Sequence, residues 1–181
     1  MAGISTTQFS NTKFNTLSSY VMSTLDSAIF PMSLENISQS PAYPDSLKLA
    51  NLTDCDEVGE VLCSNTRSII EEIEFAYDLD STLAAYYPSD GFIGWHTNAN
   101  FELYNAICTY SQSGNSFFEY EIGGDITRVN DLIGWSVKKS KWSEQSPINH
   151  RAVANGDRRI TLTFSSKSEN DVDSFISYLL S

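Results

Sequence analysis

Histidine is rare in this sequence, and its two positions suggest chemistry. His96 lies in the segment GFIGWHTNAN and His150 in the segment PINHRAVANGDRRITLTF, and the 181 residues contain no other histidine. Each lies at the end of a short segment rich in aromatic and β-branched residues, which is typical of a strand. Neutral imidazole is the commonest metal ligand among protein side chains. We therefore expect the two rings to converge at two strand ends of one sandwich and to share one ion.

The elements before residue 80 are predicted to be mainly helical. Apolar residues spaced by three and four predict a helix over Phe14–Ile29, which Pro31 ends. A second helix is expected over Asp56–Phe75, with a weak join at Ser64–Asn65 that also allows two shorter helices. Residues 1–13 are polar and small, so we expect them either to be loosely ordered or to pair as an edge strand.

After residue 80 the pattern changes to short β segments separated by turn signals, namely PSDG, SQSGN, IGGD and ANGD. The β segments are LAAYY, FIGWH, YNAICTY, SFFEYEI, DITRV, LIGWSV and RRITLTF. This spacing is typical of an antiparallel sandwich or jelly roll. The last residues predict a helix capped by Ser168, with Asp171 following in the capping-box position.

The expected fold class is therefore mainly β with flanking helices, a cupin-like double-stranded β-helix, or jelly roll. We expect one domain over residues 1–181. Within it, residues 1–79 form helical support, residues 80–165 form the jelly-roll core, and residues 166–181 form the C-terminal helix.

Composition narrows the classes of partner. The chain has 11 Lys and Arg against 23 Asp and Glu, a formal net charge of −12. Phosphate binding needs clustered cations, so a broad nucleic-acid-binding face is not expected. No segment approaches the roughly 18 apolar residues of a membrane span, and the N-terminus has no signal-peptide pattern.

The cysteines give a prediction about the compartment. Cys55, Cys63 and Cys108 are odd in number and form no C-x-x-C element. A chain of this length buries a full core without covalent cross-links. We therefore expect reduced cysteines and a cytoplasmic location.

The segments around both histidines resemble the Fe(II)/2-oxoglutarate-dependent dioxygenase superfamily, in its AlkB-like and prolyl-hydroxylase-like branches. The stretch AYYPSDGFIGWHTN is similar to the metal-binding strand, where His-x-Asp is usual, and HRAVANGDRRITLTF is similar to the distal half of the family site. Between them, YSQSGNSFFEY and LIGWSV resemble the Gly-containing turn and the strand that enters the distal metal loop. The phrase IGWHTN, with Asn, resembles compact oxygenase-like proteins of bacterial viruses.

This resemblance implies a site and a reaction. His96, Asn98 and His150 would hold Fe(II), and Arg159 would bind the distal carboxylate of the co-substrate 2-oxoglutarate. Two imidazoles and one carboxylate on one face of the metal are usual for non-haem Fe(II) oxygenases. The implied activity is hydroxylation of a second substrate, coupled to conversion of 2-oxoglutarate to succinate and CO2. The sequence leaves that second substrate open.

Asn98 stands where the family has Asp. Side chains two positions apart on a strand point to the same side, so residues 96 and 98 can both reach one ion. An amide oxygen brings no negative charge, and three interpretations stay open. The site binds metal weakly and the charges of oxoglutarate compensate; or another acid, such as Glu102 or Asp90, completes it; or catalysis has been lost. In the last case the chain is a non-catalytic jelly-roll module with a structural or interaction role, for example in a virus particle.

Two further site predictions concern the polar face of the sandwich. Arg158 and Arg159 are adjacent on a strand, so only one points inward. The resemblance selects Arg159 through the family's RxxLTF phrase, and this residue shares a face with threonines, whereas the apolar residues beside Arg158 would put Arg158 inward. The alternative for Arg159 is that its guanidinium pairs with an internal Asp. The resemblance places Tyr104, and less clearly Tyr110, where the family often has a hydroxyl near the co-substrate. Core or rim packing is the other interpretation for both.

Overall fold

The computed structural model describes residues 4, 6–25, 46–98, 102–143 and 147–181. Its helices are α1 (Thr12–Thr24), α2 (Cys55–Val58), α3 (Glu60–Tyr77) and α4 (Glu169–Leu179). Its strands before residue 100 are β1 (Thr6–Gln8), β2 (Leu47–Lys48), β3 (Ala50–Asn51), β4 (Asp80–Tyr87) and β5 (Phe92–His96). Those that follow are β6 (Leu103–Ser111), β7 (Phe117–Ile122), β8 (Asp125–Asn130), β9 (Gly134–Trp142), β10 (Asn149–Val153) and β11 (Arg159–Ser166).

The strands form two antiparallel sheets. The six-stranded sheet, called the large sheet, has the order β1-β9-β6-β11-β4-β3. The five-stranded sheet, called the small sheet, has the order β2-β5-β10-β7-β8. Sequence neighbours such as β10 and β11 lie in different sheets, as the crossing connections of a jelly roll require. The predicted fold class is therefore confirmed.

The two faces of the large sheet differ in polarity. Its outer face packs against α1, α3 and α4 in one apolar core, which includes Ile160, Leu162, Phe164, Phe14, Leu62 and Phe175. Burial of each such side chain contributes about 1.5–3 kcal/mol, which is what holds the helices on the sheet. The inner face is polar, and along β11 it consists of Arg159, Thr161, Thr163 and Ser165, all buried. A buried polar face needs internal hydrogen bonds, so it is where a site can be built.

Local signals explain most helix ends. The Asn11 side chain caps α1, and the Asp171 N–H donates to Ser168 Oγ at 3.4 Å at the start of α4, which confirms the predicted cap. The predicted second helix is indeed two helices. The break lies at Gly59, whose φ of 83° suits glycine, and not at Ser64–Asn65. Helix α1 has its C-cap at Leu25 rather than extending to residue 29; positions 26–45, including the predicted terminator Pro31, lie outside the described residues.

The N-terminal part of the chain contributes strands as well as helices. Strand β1 pairs with β9 at one edge of the large sheet, so the edge-strand alternative for residues 1–13 is confirmed at Thr6–Gln8. Strands β2 and β3 pair with β5 and β4, respectively. Residues before position 80 therefore pair directly with the strands that hold the candidate site.

The cysteine prediction is wrong in one respect. Cys55 and Cys63 form a disulfide that joins α2 to α3, while Cys108 is a buried thiol. The short loop between two packed helices brings the two Cα atoms to 5.1 Å, which no cysteine-spacing rule indicates. The cytoplasmic prediction loses the support it drew from reduced cysteines. None of the helices within the described ranges is both long and apolar enough to cross a bilayer.

The outer face of the small sheet carries a row of paired charges, called here the outer-face row. Glu119 on β7 accepts from Arg128 Nε at 2.7 Å and from Arg151 Nε at 2.6 Å, on the strands to either side. Arg128 lies 3.8 Å from the Phe117 ring centroid, and Arg151 lies 5.0 Å from that of Trp95. Both guanidinium groups keep part of their surface in solvent.

Candidate metal centre

The two histidines lie side by side. His96 at the end of β5 and His150 on β10 are direct register partners, and their ring centroids are 4.2 Å apart. The register between β5 and β10 shifts beyond this pair, with Ile93 facing Ala152. This β-bulge adds one residue to β5 and places His96 on the inner side. The structure therefore brings the two candidate ligands together at one point between the sheets.

Both rings have the same tautomer, fixed by the backbone. His96 Nδ1 lies 2.8 Å from Gly94 O, and His150 Nδ1 lies 2.9 Å from Ile148 O. A carbonyl oxygen only accepts, so each Nδ1 carries the proton and each Nε2 carries the lone pair. A backbone carbonyl on the second ring nitrogen is a usual way to orient a metal-binding imidazole.

Burial keeps His150 neutral. Its side chain is 4% exposed, and burial, followed by the nearby His96 ring, lowers the pKa of His150 to about 3. A metal ligand must present a lone pair rather than a proton. The neutral imidazole satisfies that condition at every pH at which the protein is expected to work.

Aromatic side chains enclose the pair. Trp142 stacks on His150 with centroids 5.3 Å apart and an interplanar angle of 18°, and Phe118 lies 5.4 Å from the same ring. Trp142 was not predicted as a site residue. It is the last residue of β9, the strand that begins within LIGWSV. The signal in the sequence was the alternation of side chains along β9, which puts Trp142 on the same face as Lys138 and Ser140.

Asn98 completes the group of potential donors. It follows the end of β5, and its Nδ2 lies 3.5 Å from His150 Nε2. The oxygen and nitrogen of an amide are exchanged by a half-turn of the side chain, so the same position can present Oδ1 to an ion. The structure thus brings His96, Asn98 and His150 to one place.

The alternative acids are not brought to the same place. Asp90 precedes β5, at the opposite end from His96, and pairs with Lys48 at the surface. Glu102 is exposed and accepts from Ser143 Oγ at 3.3 Å. Within the described residues, no three His, Cys, Asp or Glu side chains are grouped so as to hold a metal ion.

The second part of the candidate site is a buried group of charges, called here the interior triad: Lys138, Asp131 and Arg159. Asp131, from the β8–β9 connection, accepts from Lys138 Nζ at 2.5 Å and from Arg159 Nε at 2.9 Å. All three side chains are almost fully buried. Burial alone would raise the pKa of the Asp131 carboxyl, but the charges of Arg159 and Lys138 outweigh burial and hold that pKa well below its usual range.

Arg159 is therefore the inward arginine, as predicted, but it is paired with an internal acid. Arg158 instead donates to Met22 O on the helix side of the sheet. Asp131 was not singled out from the sequence, because it lies in a connection and has no periodic pattern around it. The internal-Asp alternative describes this pairing, and the co-substrate role of Arg159 stays a prediction.

Tyr104 is not part of this site. It lies on the helix-covered face of β6 and packs against the apolar core, whereas Thr109, on the other face of the same strand, contacts Arg159. Tyr110 shares the face of Tyr104. The placement of Tyr104 beside a co-substrate is therefore corrected to the packing interpretation, because strand alternation points its ring away from the sandwich interior.

The inner face of β9 connects the two parts of the site. Lys138, Ser140 and Trp142 alternate along it, and roughly 13 Å of strand separates the first from the last. Ser140 Oγ is buried and has no hydrogen-bond partner within the described residues. An unpaired buried hydroxyl is costly, and a polar ligand in this interior is one way to satisfy it.

The donor chemistry fits Fe(II) in part. Two neutral imidazoles with backbone-fixed tautomers match the nitrogen ligands of a non-haem iron site, and the Asn98 amide is a weak, neutral third ligand. The interior triad fits a dicarboxylate less well. Arg159, which would bind the distal carboxylate, already has Asp131 as its partner.

Comparison with known proteins agrees with the fold. The sequence matches no family model and no curated protein. The structure is similar to that of a prolyl hydroxylase from Trichoplax adhaerens in complex with a hypoxia inducible factor oxygen degradation domain peptide fragment. The TM-score is 0.51 at 14% identity, covering 95% of this chain and 87% of that chain. OsALKBH1 is similar at a TM-score of 0.43 and 15% identity, covering 91% and 98%. The chain thus has the jelly-roll fold found in the prolyl hydroxylase.

Proposed function

We propose that this chain is an Fe(II)/2-oxoglutarate-dependent oxygenase of the hydroxylase type with a weakened metal site. The observation that carries the proposal is the convergence of His96 and His150, with ring centroids 4.2 Å apart and each Nδ1 bonded to a backbone carbonyl, which leaves the lone pair on Nε2. Two neutral imidazoles that converge in this way match the nitrogen ligands of a non-haem iron site.

Each residue has a distinct part in this proposal. His96 and His150 would hold the metal through Nε2, and Asn98 would add its amide oxygen. Trp142, from the large sheet, and Phe118, from the small sheet, pack against the His150 ring, and Ser140 would donate to a polar ligand in the interior. When bound, Fe(II) together with 2-oxoglutarate would supply the oxygen chemistry that side chains lack.

Asn98 sets the expected metal affinity. The protein ligands bring no negative charge, so the two carboxylates of oxoglutarate would provide the charge that neutralises Fe(II). Metal and oxoglutarate are therefore expected to bind with strong positive coupling, each raising the affinity for the other by the same factor.

The test is anaerobic titration of the protein with Fe(II), with and without 2-oxoglutarate, by calorimetry and by the visible absorption of the chelate. We expect His150→Ala to abolish Fe(II) binding, because no other histidine can replace it. We expect Asn98→Asp to tighten Fe(II) binding by roughly tenfold, about 1.4 kcal/mol, because it adds a charged ligand. Asn155→Asp adds the same charge in the exposed β10–β11 turn and is the matched control.

Two results would count against the proposal. Unchanged Fe(II) affinity in Asn98→Asp would remove residue 98 from the ligand set. Absence of Fe(II) binding in both wild type and Asn98→Asp, with no succinate formed from oxoglutarate in air, would refute the enzyme.

The second candidate function is a non-catalytic jelly-roll module with a structural or interaction role. Two observations favour it: the ligand set lacks an acid at position 98, and the Arg159 guanidinium is already paired with Asp131. This candidate predicts that wild type binds neither iron nor oxoglutarate at millimolar concentrations.

A further inference from the structure

We infer that Asp131 supplies, from within the chain, the carboxylate that Arg159 would otherwise take from a dicarboxylate ligand, and that Asp131 thereby sets the affinity of this interior for dicarboxylates. The inference rests on the proposed function, because it concerns the same interior and the same class of co-substrate. It identifies a residue that determines specificity without touching the metal.

The first argument is that each of the three nitrogens of the Arg159 guanidinium already has a partner. Its Nε donates to Asp131 Oδ2 at 2.9 Å, its Nη1 donates to Thr161 Oγ1, and its Nη2 lies 3.4 Å from Thr109 Oγ1. A carboxylate binds arginine best through two neighbouring nitrogens at once. A ligand carboxylate that approaches two of these nitrogens therefore competes with the oxygens already there, and the Asp131 oxygen is the charged one.

The second argument is that Asp131 is held in place. Its Oδ1 accepts from Lys138 Nζ at 2.5 Å, its Oδ2 also accepts from Ser116 Oγ at 2.9 Å, and its backbone N–H donates to Ser116 O at 2.9 Å. Three side-chain hydrogen bonds, from Lys138, Arg159 and Ser116, fix the carboxylate toward the interior. Displacement by a ligand would leave Lys138 without its acid partner as well.

The third argument is the balance of charge. Lys138 and Arg159 are two cations against one acid, so the triad keeps one positive charge and still attracts an anion. Net charge alone therefore does not describe the effect of Asp131. A variant with the same net charge but no internal carboxylate distinguishes the effect of the Arg159–Asp131 pairing from the effect of total charge.

The experiment compares wild type with the double variant Asp131→Asn/Lys138→Met, which retains one net positive charge at Arg159. Succinate binding to the metal-free protein is measured by calorimetry and by the rise in thermal midpoint, since a ligand of the native state stabilises it. Succinamide, which is uncharged, is the ligand control. Glu119→Gln/Arg128→Met makes the same kinds of change in the outer-face row and is the matched protein control.

We expect the double variant to bind succinate about tenfold more tightly than wild type, or better, as a freed charge-assisted hydrogen bond implies. Succinamide binding and the outer-face control should show no such gain. Equal succinate affinity in wild type and the double variant would overturn the inference, and so would failure of both to bind succinate.

A second measurement does not depend on the variant folding. The Nε–H resonance of Arg159 in ¹⁵N-labelled wild type, identified by its loss in Arg159→Lys, should stay unchanged when succinate is added. A succinate-dependent shift would show that the ligand reaches the fork in wild type and would overturn the inference.

The inference and the proposed function fail in different ways. A gain in succinate affinity without any Fe(II) binding would support the inference and refute the oxygenase. Fe(II) and oxoglutarate binding in wild type, with no gain in the double variant, would support the oxygenase and refute the role of Asp131.

Discussion

The interior triad and the outer-face row have the same composition in different surroundings. Each has one acid between two cations, Asp131 between Lys138 and Arg159, and Glu119 between Arg128 and Arg151. In the row, the arginines cover the acid but keep water on their outer sides. In the triad, cations and acid are both removed from water. The acid is buried in both groups, so the additional desolvation cost of the triad comes from its two cations. The attraction between the cations and Asp131 has to offset that cost.

The comparison teaches that the triad is a poor device for stability alone. Buried ion pairs are often no better than apolar side chains of the same volume. The large sheet already has an apolar core on its other face, so a second charged core adds little to folding.

The largest expected effect is the loss of one acid from each group. Asp131→Asn leaves two buried cations without a charged partner and should lower the free energy of unfolding by about 3–5 kcal/mol. Glu119→Gln leaves two arginines that water can reach and should cost about 1 kcal/mol or less. Urea unfolding of both variants measures the difference, and equal losses would break the comparison.

Acid pH should act on the same two carboxyls, with a smaller effect. Burial opposes ionisation of Asp131 and Glu119, but their cationic partners lower both pKa values below those of the unfolded chain. The resulting stability is present above the unfolded pKa of about 4 and is lost as pH falls below it. Unfolding free energies measured from pH 6 to pH 2 should fall less steeply in Asp131→Asn than in wild type.

Glu119→Gln is the reference for that titration. Its curve should lie closer to that of wild type, because the partners of Glu119 are partly hydrated. An acid limb unaffected by Asp131→Asn would mean that other carboxyls dominate the loss of stability.

The smallest expected effect is that of salt. At 1 M ionic strength the screening length is about 3 Å, which weakens exposed pairs and leaves buried ones nearly unchanged. The cost of Glu119→Gln should therefore shrink toward zero between 0.1 M and 1 M NaCl, while the cost of Asp131→Asn should persist. Unfolding in urea at both salt concentrations provides the four values needed.

The parts of the structure that were predicted depend on periodic patterns. Alternation along RRITLTF showed that only one of Arg158 and Arg159 points inward, and the resemblance selected Arg159. The three-four spacing from Phe14 gave the core face of α1. The cap at Ser168 was predicted because the motif is local. The convergence of His96 and His150 followed from placing both at strand ends of one sandwich.

The parts that were not predicted depend on contacts between distant segments. Asp131 is one of many acids and lies in a connection, so nothing local marks it as buried. The disulfide needed the turn between α2 and α3 at Gly59. Tyr104 was misplaced because the resemblance alone put its hydroxyl near the co-substrate, whereas strand β6 presents its ring to the helix side.

Hydrogen bonds at Gly94, in the bulged part of β5, connect the start of the small sheet to the histidine pair. The Gly94 N–H donates to Ser46 O at 2.7 Å, and the Gly94 carbonyl accepts from His96 Nδ1 at 2.8 Å. Gly94 thus bonds both to the segment leading into β2 and to the His96 imidazole. The orientation of a candidate ligand is thus linked, through two hydrogen bonds at Gly94, to a segment that lies fifty residues earlier in the chain.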